Sequence, residues 1–338
     1  MTSLPSFLST AAPLPHGTPG VLGGAILGQS ADSHRADWPV QRIFAPLFGS
    51  TVEAMHESWR VDSPVAAGVS DGIVWRKAGG LLYGVIELDE SGFEVAGDGS
   101  PLQAASKEAY RRLFRLLDSQ RVPHLWRVWN YLAAINDETH GLERYRQFNI
   151  GRQDAFLECR RNATGNVPAA CAIGLAGGPL SIAFLAGETP AVPVENPRQI
   201  SAYNYPADYG PCSPTFSRAA LASAGGQQLL FVSGTASIVG HQTVHVGDVA
   251  GQTKETMANI AAVLAEANRR SRSTAFALGD LSYRIYVRHA DDFPAVVATL
   301  QPLIGNAEAV YVQADICRRD LLLEIEAVAV HLGKERPR

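Results

Sequence analysis

Apolar and polar residues follow two different periods along this chain, and the order of these periods predicts its fold. Short apolar runs, typical of strands, cover residues 72–77, 81–88 and 124–131. Between them, residues 102–120 place apolar side chains on one stripe and basic side chains on the other, which predicts an amphipathic helix. The apolar stripe consists of Ala105, Ala109, Leu113, Leu116 and Leu117. A second helix is predicted over residues 141–161.

The C-terminal part of the chain repeats this order of elements. Strands are predicted over residues 228–233, 283–287, 309–314 and 321–330, and helices over residues 253–268 and 291–303. The repetition predicts an α+β protein with two similar halves, each a mixed sheet packed against two helices, and a joint between Pro193 and Pro214. The first half covers residues 41–195 and the second half residues 196–338. Residues 1–40, rich in Gly, Pro, Ala and Ser, are expected to form an extended or loosely ordered lead-in without a functional role.

Composition and charge narrow the class of protein. The 338 residues include 46% hydrophobic and 18% charged side chains, as expected of a soluble globular protein with two domains. The net charge of -4 comes without an extended basic run, so we expect no nucleic-acid partner. Residues 167–194 are apolar over a membrane-spanning length, but Gly177, Gly178 and Pro179 favour two buried strands joined by a tight turn. No membrane partner is therefore expected. The cysteines lack CxxC spacing and the N-terminus lacks a basic signal region, which indicates a cytoplasmic protein.

The last apolar stretch carries two acidic side chains inside a predicted buried strand. Glu324 and Glu326 lie two positions apart, so a strand directs both to the same face. Burial disfavours the ionised form of a carboxyl group, so such a glutamate can hold a proton near neutral pH and donate it to a substrate. Glu324 is therefore a candidate general acid. The alternative is that one or both glutamates pair with an arginine or accept backbone N–H bonds.

Several segments resemble proteins of the RidA (YjgF-like) fold, in which a sheet packs against two helices and trimers bury their active sites between subunits. The segments are FVSGTAS (231–237), QT (252–253), NI (259–260), DF (292–293) and EIEAVA (324–329). RidA-type deaminases bind the substrate carboxylate with an arginine some fifteen positions before the strand glutamate. This chain has Ala309 at that position, which argues against imine hydrolysis.

Over residues 120–330 the chain resembles the chorismatase family more closely, whose members cleave the enolpyruvyl ether of chorismate. The matching segments are YRQFNIGR (145–152), SAYNYPADYGP (201–211), SPTFSRA (213–219), the segment around Gly234, and CRRDLLLEIE (317–326). The resemblance implies two RidA/YjgF-like (chorismate-mutase-like) halves in one chain, with most of the active site in the second half. It implies chorismate as the small-molecule partner and no cofactor or metal. A monomer and a small homo-oligomer both stay open.

Chorismate carries two separated carboxylates, and arginine suits each because its planar guanidinium donates two parallel hydrogen bonds. The resemblance assigns Glu324 as the acid that protonates the enol methylene carbon and Arg152 as the ligand of one carboxylate. It implies Tyr203 and Tyr209 as hydroxyl donors. Further substrate-binding candidates are Arg146, Arg218, Arg284, Gly234, Thr235 and Ala236. For each arginine, the alternative is an ion pair or a solvent-facing side chain.

The resemblance also bears on the product. If the ring hydroxyl of chorismate attacks the neighbouring ring carbon, pyruvate leaves an epoxide that rearranges to 3-hydroxybenzoate. If water attacks the activated carbon, the second product is 3,4-dihydroxycyclohexa-1,5-diene carboxylate. Family members that form 3-hydroxybenzoate have a cysteine at the position of Cys317, which favours that product and makes Cys317 a second catalytic candidate. Ala236 stands where a hydroxybenzoate former can have glycine, which leaves room for additional 4-hydroxybenzoate.

A zinc site and other functions of the same fold are considered as alternatives. His241 and His245 have the spacing of a helical zinc pair, but the flanking Val and Gly residues indicate strand or loop, so no metal site is predicted. A RidA-like fold without catalysis would bind a metabolite in the cleft between the halves. The open alternatives are therefore a chorismate hydrolase that forms the diene diol and a non-catalytic metabolite-binding protein.

Overall fold

Three larger sheets and four helices make up the part of the chain that the computed structural model describes, residues 4–29, 36–95, 97, 99–271 and 275–332. The first sheet lies in the N-terminal segment. The N-terminal strands are β1 (Ser6–Thr10), β2 (Val21–Leu27), β3 (Val40–Ile43), β4 (Leu47–Phe48) and β5 (Met55–Arg60). Four of them form a sheet in the order β1-β5-β2-β3, with β2 buried along its whole length.

The expectation of a loosely ordered lead-in over residues 1–40 is therefore wrong for the described residues. The glycines of β2 serve close packing rather than freedom of the chain. A Cβ atom on Gly24 would lie 1.8 Å from the Glu57 carbonyl oxygen, and one on Gly23 would lie 2.2 Å from the Tyr83 ring. These glycines weaken the apolar pattern by which a buried strand is recognised in the sequence.

The first half contains a six-stranded mixed sheet and two helices. Its elements are β6 (Ala66–Ser70), β7 (Ile73–Ala78), β8 (Leu81–Leu88), α1 (Pro101–Gln120), β9 (His124–Ala133), β10 (Glu138–Thr139), β11 (Leu142–Glu143), α2 (Arg144–Glu158), β12 (Ala169–Leu175) and β13 (Leu180–Gly187). The strand order is β12-β9-β13-β8-β7-β6, in which only β12 and β9 run parallel. The two predicted strands between residues 167 and 194 are confirmed, although each pairs with β9 rather than with the other.

Helix α1 begins and ends at residues suited to these positions. The Ser100 side chain accepts a hydrogen bond from the Gln103 backbone N–H, Pro101 occupies the first turn, and the chain leaves the helix at Arg121 in the left-handed region. All five residues of the predicted apolar stripe are buried, and α1 and α2 pack together over one face of the sheet. The amphipathic pattern thus places this helix correctly.

The second half repeats this architecture. Its elements are β14 (Val192–Val194), β15 (Ala219–Ala224), β16 (Gln227–Thr235), β17 (Ile238–Val239), β18 (Gln242–Thr243), α3 (Val249–Arg270), β19 (Ser282–Val287), α4 (Phe293–Ile304), β20 (Ala309–Gln313) and β21 (Leu323–Leu332). The order β20-β19-β21-β16-β15-β14 matches that of the first half strand by strand, and β19 and β20 are its parallel pair. Helices α3 and α4 cover one face. The expected α+β fold with two RidA-like halves is confirmed.

The two sheets meet across a shared core, which places residues of both halves side by side. The hydroxyl groups of Tyr131 on β9 and Tyr286 on β19 lie 2.5 Å apart. Single bridges between Ala169 and Ser217 and between Gly174 and Asp315 attach β12 to the second half. Strand β4 pairs with β20 at the edge of the second sheet. No helix in the described part of the chain is both long and apolar enough to cross a membrane.

Candidate active site

A cleft with about 630 Å³ of empty volume lies between the halves, and the segment that joins them covers one side. Its lining residues are Tyr145, Arg152, Ala170, Cys171, Ala172, Tyr205, Pro214, Phe216, Arg218, Gly234, Ala236, Ile238, Cys317, Arg318 and Glu324. Helix α2 and strand β12 form the wall from the first half. The end of β16 and the start of β21 form the wall from the second half. The cleft thus brings together six of the predicted site residues.

Glu324 reaches this cleft from β21 with its carboxyl group buried, at 4% exposure. Among the described residues, no basic side chain lies within ion-pair distance of it; its recorded neighbour is Cys317, whose Sγ lies 4.0 Å from Glu324 Oε2. Burial raises the pKa of Glu324 from 4.5 to about 8, and the charge of Glu326 adds to this effect, whereas Arg127 and Arg218 oppose it. The carboxyl group therefore carries a proton at neutral pH.

A bulge in β16 makes room for this carboxyl group. The pairing of β16 with β21 passes from Val232–Ala327 to Thr235–Ile325, so Ser233 and Gly234 stand outside the regular register. A Cβ atom on Gly234 would lie 1.8 Å from Glu324 Oε1 and 3.2 Å from Cys171 Cβ. Only glycine therefore allows the Glu324 carboxyl group to lie against the backbone at this point.

Glu326, on the same face of β21, is in a different electrostatic environment. It forms a buried ion pair with Arg127, its Oε1 lies 3.1 Å from Arg284 Nη1, and it accepts a hydrogen bond of 3.2 Å from the Tyr286 hydroxyl. The arginine-paired alternative considered for the two glutamates thus applies to Glu326 and not to Glu324.

Three arginines that line the cleft have buried N–H groups without a hydrogen-bond partner among the described residues. Arg152 on α2 is buried against the rings of Tyr110 and Phe156, and its Nε and Nη2 have no hydrogen-bond partner. Arg218 donates from Nη2 to the Tyr205 hydroxyl at 2.7 Å, which leaves its Nε unpaired. Buried charged donors without acceptors are costly, so this arrangement is typical of a site that receives an anionic ligand.

Arg318 is the third of these arginines. Its Nη1 donates to the His241 carbonyl oxygen at 2.9 Å, and its Nη2 is buried without a partner. Its guanidinium carbon lies 4.0 Å from the ring centroid of Tyr209 and 5.2 Å from that of Tyr205. Within the described residues, none of Arg152, Arg218 and Arg318 has a carboxylate within ion-pair distance, so these three guanidinium groups can bind the carboxylates of a ligand.

Two groups beside Glu324 stay uncharged. Burial and the nearby Glu324 raise the pKa of the Cys317 thiol to about 12, and burial raises the pKa of the Tyr145 hydroxyl still further. Cys317 therefore faces the cleft as a thiol and not as a thiolate nucleophile. Tyr145 and Arg152 lie seven positions apart on α2, two helical turns, which directs both to the same face.

Several predicted site residues lie outside the cleft lining. Tyr209 supports the lining from behind: its hydroxyl lies 3.1 Å from His241 Nδ1 and its ring packs against Arg318. Thr235 is buried and its hydroxyl donates to the Ser233 carbonyl oxygen. Tyr203 lies in a short 3-10 turn, and Arg146 pairs with Glu143 and contacts the Asp208 carbonyl oxygen.

Arg284, which was predicted to bind substrate, does not line this cleft. The Arg284 guanidinium is buried in a two-point ion pair with Glu57 and donates to the Tyr131 hydroxyl at 2.6 Å. It lines a separate cavity of about 420 Å³ together with Arg127 and Glu326. Of the two alternatives considered for Arg284, the ion pair therefore applies and the solvent-facing side chain does not.

Sequence reasoning missed several lining residues, of which Arg318 and Tyr145 carry chemical groups suited to a site. Both stand inside segments that match the chorismatase pattern, next to residues that were assigned, so the signal was present in the sequence. Phe216 and Tyr205 were likewise in matching segments. Cys171 and Ala172 carry no sequence signal, because a small residue in a buried strand is usual.

Comparison with known proteins agrees with this geometry. Residues 57–186 match the family described as "Chorismatase FkbO/Hyg5-like, N-terminal", and residues 214–331 match the family described as "Endoribonuclease L-PSP". A chorismatase from Streptomyces rapamycinicus is 38% identical over 284 residues, which cover 82% of each chain. A 3-hydroxybenzoate synthase from Streptomyces hygroscopicus is 36% identical over 296 residues, which cover 84% of each chain.

A solved chorismatase structure extends the similarity to the three-dimensional fold. It superimposes with a TM-score of 0.85 at 31% sequence identity, covering 97% of this chain and 99% of the other. The sequence similarity spans both halves, and the structural match includes the N-terminal sheet. This chain therefore belongs to the chorismatase family of enzymes.

Proposed function

We propose that this protein cleaves the enolpyruvyl ether of chorismate to give pyruvate and 3-hydroxybenzoate, with 4-hydroxybenzoate as a possible minor product. The observation that carries the proposal is the buried Glu324, whose pKa is raised to about 8, in a cleft where each of three arginines has at least one buried nitrogen atom without an acceptor. An acid beside these guanidinium groups suits a dianionic substrate whose reaction begins with proton transfer to carbon. The names of the relatives, chorismatase and 3-hydroxybenzoate synthase, support the same substrate and product.

The arginines bind the two carboxylates of chorismate. Arg152 approaches from α2, whereas Arg218 and Arg318 approach from the joint and from the second half, so the positive charges are separated across the cleft. Each N–H group that lacks an acceptor in the protein gains a carboxylate oxygen in the complex. Aromatic residues around these arginines restrict their movement and keep the substrate in one orientation.

Glu324 then transfers its proton to the enol methylene carbon, which leaves a cationic centre on the carbon beside the bridging oxygen. The carboxylate that forms is stabilised by the positive charges of the cleft. The ring hydroxyl of the substrate attacks the adjacent ring carbon, the ether bond breaks, and pyruvate leaves. The hydroxyl proton returns to Glu324, and the resulting epoxide rearranges to 3-hydroxybenzoate. Atoms balance without water, because the two products together have the composition of chorismate.

Cys317 is proposed to favour this internal route over hydrolysis. Its neutral thiol lies 4.0 Å from Glu324 and occupies the part of the cleft where a water molecule would approach the protonated arm. Ala236 lines the same cleft, and its methyl group adds bulk where a glycine would leave space. Space near these two side chains therefore governs the ratio of internal attack to hydrolysis.

Incubation of the purified protein with chorismate, without added metal or nucleotide, tests the proposal. Pyruvate is measured with a coupled assay, and the second product is identified by chromatography against 3-hydroxybenzoate, 4-hydroxybenzoate and the diene diol. Glu324→Gln is expected to abolish pyruvate release. If the diene diol is the main product, the protein is a chorismate hydrolase and not a 3-hydroxybenzoate synthase. Binding of chorismate without any pyruvate would favour the metabolite-binding alternative, and wild-type turnover of Glu324→Gln would remove the acid from the mechanism.

A further inference from the structure

A chain of buried charges runs from the N-terminal sheet to the strand that carries Glu324. The Glu57 carboxylate on β5 accepts hydrogen bonds from Nε and Nη2 of Arg284. Arg284 Nη1 lies 3.1 Å from Glu326 Oε1. Arg127 on β9 forms an ion pair with Glu326 Oε2. We call Glu57, Arg284, Glu326 and Arg127 the charge relay. Its members are all largely buried, and together they bring strands of all three larger sheets into contact.

The relay gives Glu326 two arginine partners, whereas no basic side chain among the described residues lies within ion-pair distance of Glu324. The Tyr286 hydroxyl donates to Glu326 Oε1 at 3.2 Å and lies 2.5 Å from the Tyr131 hydroxyl, which itself accepts from Arg284. Its partners therefore surround the Glu326 carboxylate with charge-assisted hydrogen bonds. This paired carboxylate lies two residues from Glu324 on the same face of β21.

Arg284 divides its interactions unequally between the two glutamates. Glu57 binds two of its nitrogen atoms, whereas Glu326 contacts only Nη1. The two-point contact directs most of the Arg284 charge to Glu57, so Arg127 is left as the main counter-ion of Glu326. Arg127 in turn has a buried Nη1 without a hydrogen-bond partner, which shows that its guanidinium is not shared with a second carboxylate among the described residues.

Charged or titratable groups from several elements surround Glu324. On β21 and β19 these are Glu326 and the Tyr286 hydroxyl, which lies opposite Glu324 in the ladder. Strand β12 contributes Cys171, and α2 contributes Tyr145. Strand β9 contributes Arg127. The remaining groups are Arg218, Cys317 and Arg318. The thiols and hydroxyls are uncharged because burial raises their pKa values, which leaves one anion, Glu326, among cations.

We propose that the charge relay positions the proton for catalysis: it fixes the negative charge of Glu326 beside Glu324, so that Glu324 enters the reaction as an acid despite the cations of the cleft. Burial is the largest cause of the raised pKa of Glu324, and without Glu326 the charges of Arg127 and Arg218 would lower that pKa, so the free enzyme would lose the proton at a lower pH. Glu326, Arg127, Arg284 and Glu57 are thus positioning residues, because none of them is proposed to touch the substrate. The inference rests on the proposed function for its catalytic consequence, but its electrostatic part stands without substrate.

The sign of the effect separates this relay from a merely structural network. Removal of the Glu326 charge removes repulsion, so Glu324 ionises more easily. Removal of the Arg127 charge removes attraction, so Glu324 holds its proton to higher pH. A loss of packing or of hydrogen bonds in a structural network would open the site to water in both variants and shift the titration in the same direction.

The titration of Glu324 is measured directly by infrared spectroscopy of the substrate-free protein between pH 5 and pH 10. The carbonyl stretch of a carboxylic acid that persists above neutral pH is assigned to Glu324 by its absence in Glu324→Gln. In Glu326→Gln the midpoint of this band is expected to fall by about one pH unit or more, and in Arg127→Met to rise by a similar amount. Exposed Glu158, replaced by Gln, is the matched control and leaves the midpoint unchanged.

Kinetics test the catalytic part of the inference. The alkaline limb of kcat/KM for pyruvate release is expected to move down in pH for Glu326→Gln and up for Arg127→Met, together with the infrared midpoint. Equal shifts in the same direction, or an unmoved band in both variants, would overturn the relay. If Arg127→Met does not fold, Glu326→Gln decides alone, and a midpoint at or above that of the wild type rejects the inference. Absence of turnover in the wild type refutes the proposed function and leaves the infrared result to decide on the relay.

Discussion

Glu324→Gln is expected to stabilise the protein at alkaline pH even though it removes the proposed acid. The pKa of Glu324 rises from 4.5 to about 8 on folding, so between these values the unfolded chain releases a proton that the native protein keeps. Unfolding therefore becomes more favourable as pH rises through this window, by about 1.4 kcal/mol for each pH unit. Below 4.5 both states are protonated, and above 8 both are ionised, so the dependence is confined to the window.

The magnitude follows from these two limits. Over the whole window the free energy of unfolding of the wild type falls by on the order of 5 kcal/mol, and about 4 kcal/mol of this decrease occurs between pH 5 and pH 9. This is a large part of the stability of an ordinary domain. Glutamine has nearly the same shape and cannot ionise, so the variant lacks this part of the pH dependence. Its free energy of unfolding, relative to that of the wild type, is expected to rise by that amount between pH 5 and pH 9.

Urea unfolding followed by tryptophan fluorescence at several pH values measures this difference. The free energy of unfolding of the variant minus that of the wild type is compared between two pH values. This comparison cancels the pH-independent effect of the glutamine and the contributions of all other titrating groups. Glu158→Gln provides the control, because Glu158 is exposed and its pKa is lowered by hydrogen bonding to Lys107. The same pH dependence in wild type and Glu324→Gln would show that Glu324 is ionised in the native protein at neutral pH and would refute the assignment of the acid.

Three further substitutions test the cleft. Gly234→Ala places a Cβ atom 1.8 Å from Glu324 Oε1. The carboxyl group must then move, so kcat for pyruvate release is expected to fall at least about 100-fold. Gly177→Ala is the control, because nothing lies within 4 Å of a Cβ atom there. Arg152→Met is expected to raise KM for chorismate by about 10- to 100-fold, since a charged hydrogen bond is lost, and to raise the melting temperature, since two unpaired buried donors disappear; an unchanged KM would exclude Arg152 as a carboxylate ligand. Cys317→Ala is expected to shift the products from 3-hydroxybenzoate toward the diene diol, as measured by chromatography, and an unchanged ratio would remove the thiol from the control of water access.

The sequence predicts the architecture better than the site, and the reason lies in the range of the contacts involved. The apolar stripe of α1 and the buried position of Glu324 in β21 are local patterns, and both were predicted correctly; the role of Glu324 as the acid stays a prediction. Arg284 was predicted to bind substrate, but it pairs with Glu57, which lies 227 positions away in another sheet, and it lines a different cavity. No local period reports such a pairing. Arg318 stands inside a segment that matches the chorismatase pattern, but its packing against the rings of Tyr205 and Tyr209, more than a hundred residues earlier, is likewise not visible in a local period.

The N-terminal sheet was overlooked because its central strand uses glycines for close contact. In a helix or an exposed loop the same glycines would indicate freedom of the chain. Only the approach of β5 and of the Tyr83 ring to β2 distinguishes the two cases, and this approach is a tertiary feature. The sheet also includes β5, whose Glu57 lies within the predicted first half and pairs with Arg284, so the strands of residues 1–40 pack beside a strand that contributes to the charges near Glu324.

The division of the cleft between α2 and β12 on one side and β16 and β21 on the other has an evolutionary consequence. Each half resembles the other in topology, yet Arg152 and Glu324 are encoded on opposite sides of the joint. Recombination at the joint between two distant relatives would combine a proposed carboxylate ligand and a proposed acid that were never selected together. The two halves are therefore expected to be inherited together, and changes on one wall of the cleft are expected to be followed by compensating changes on the other.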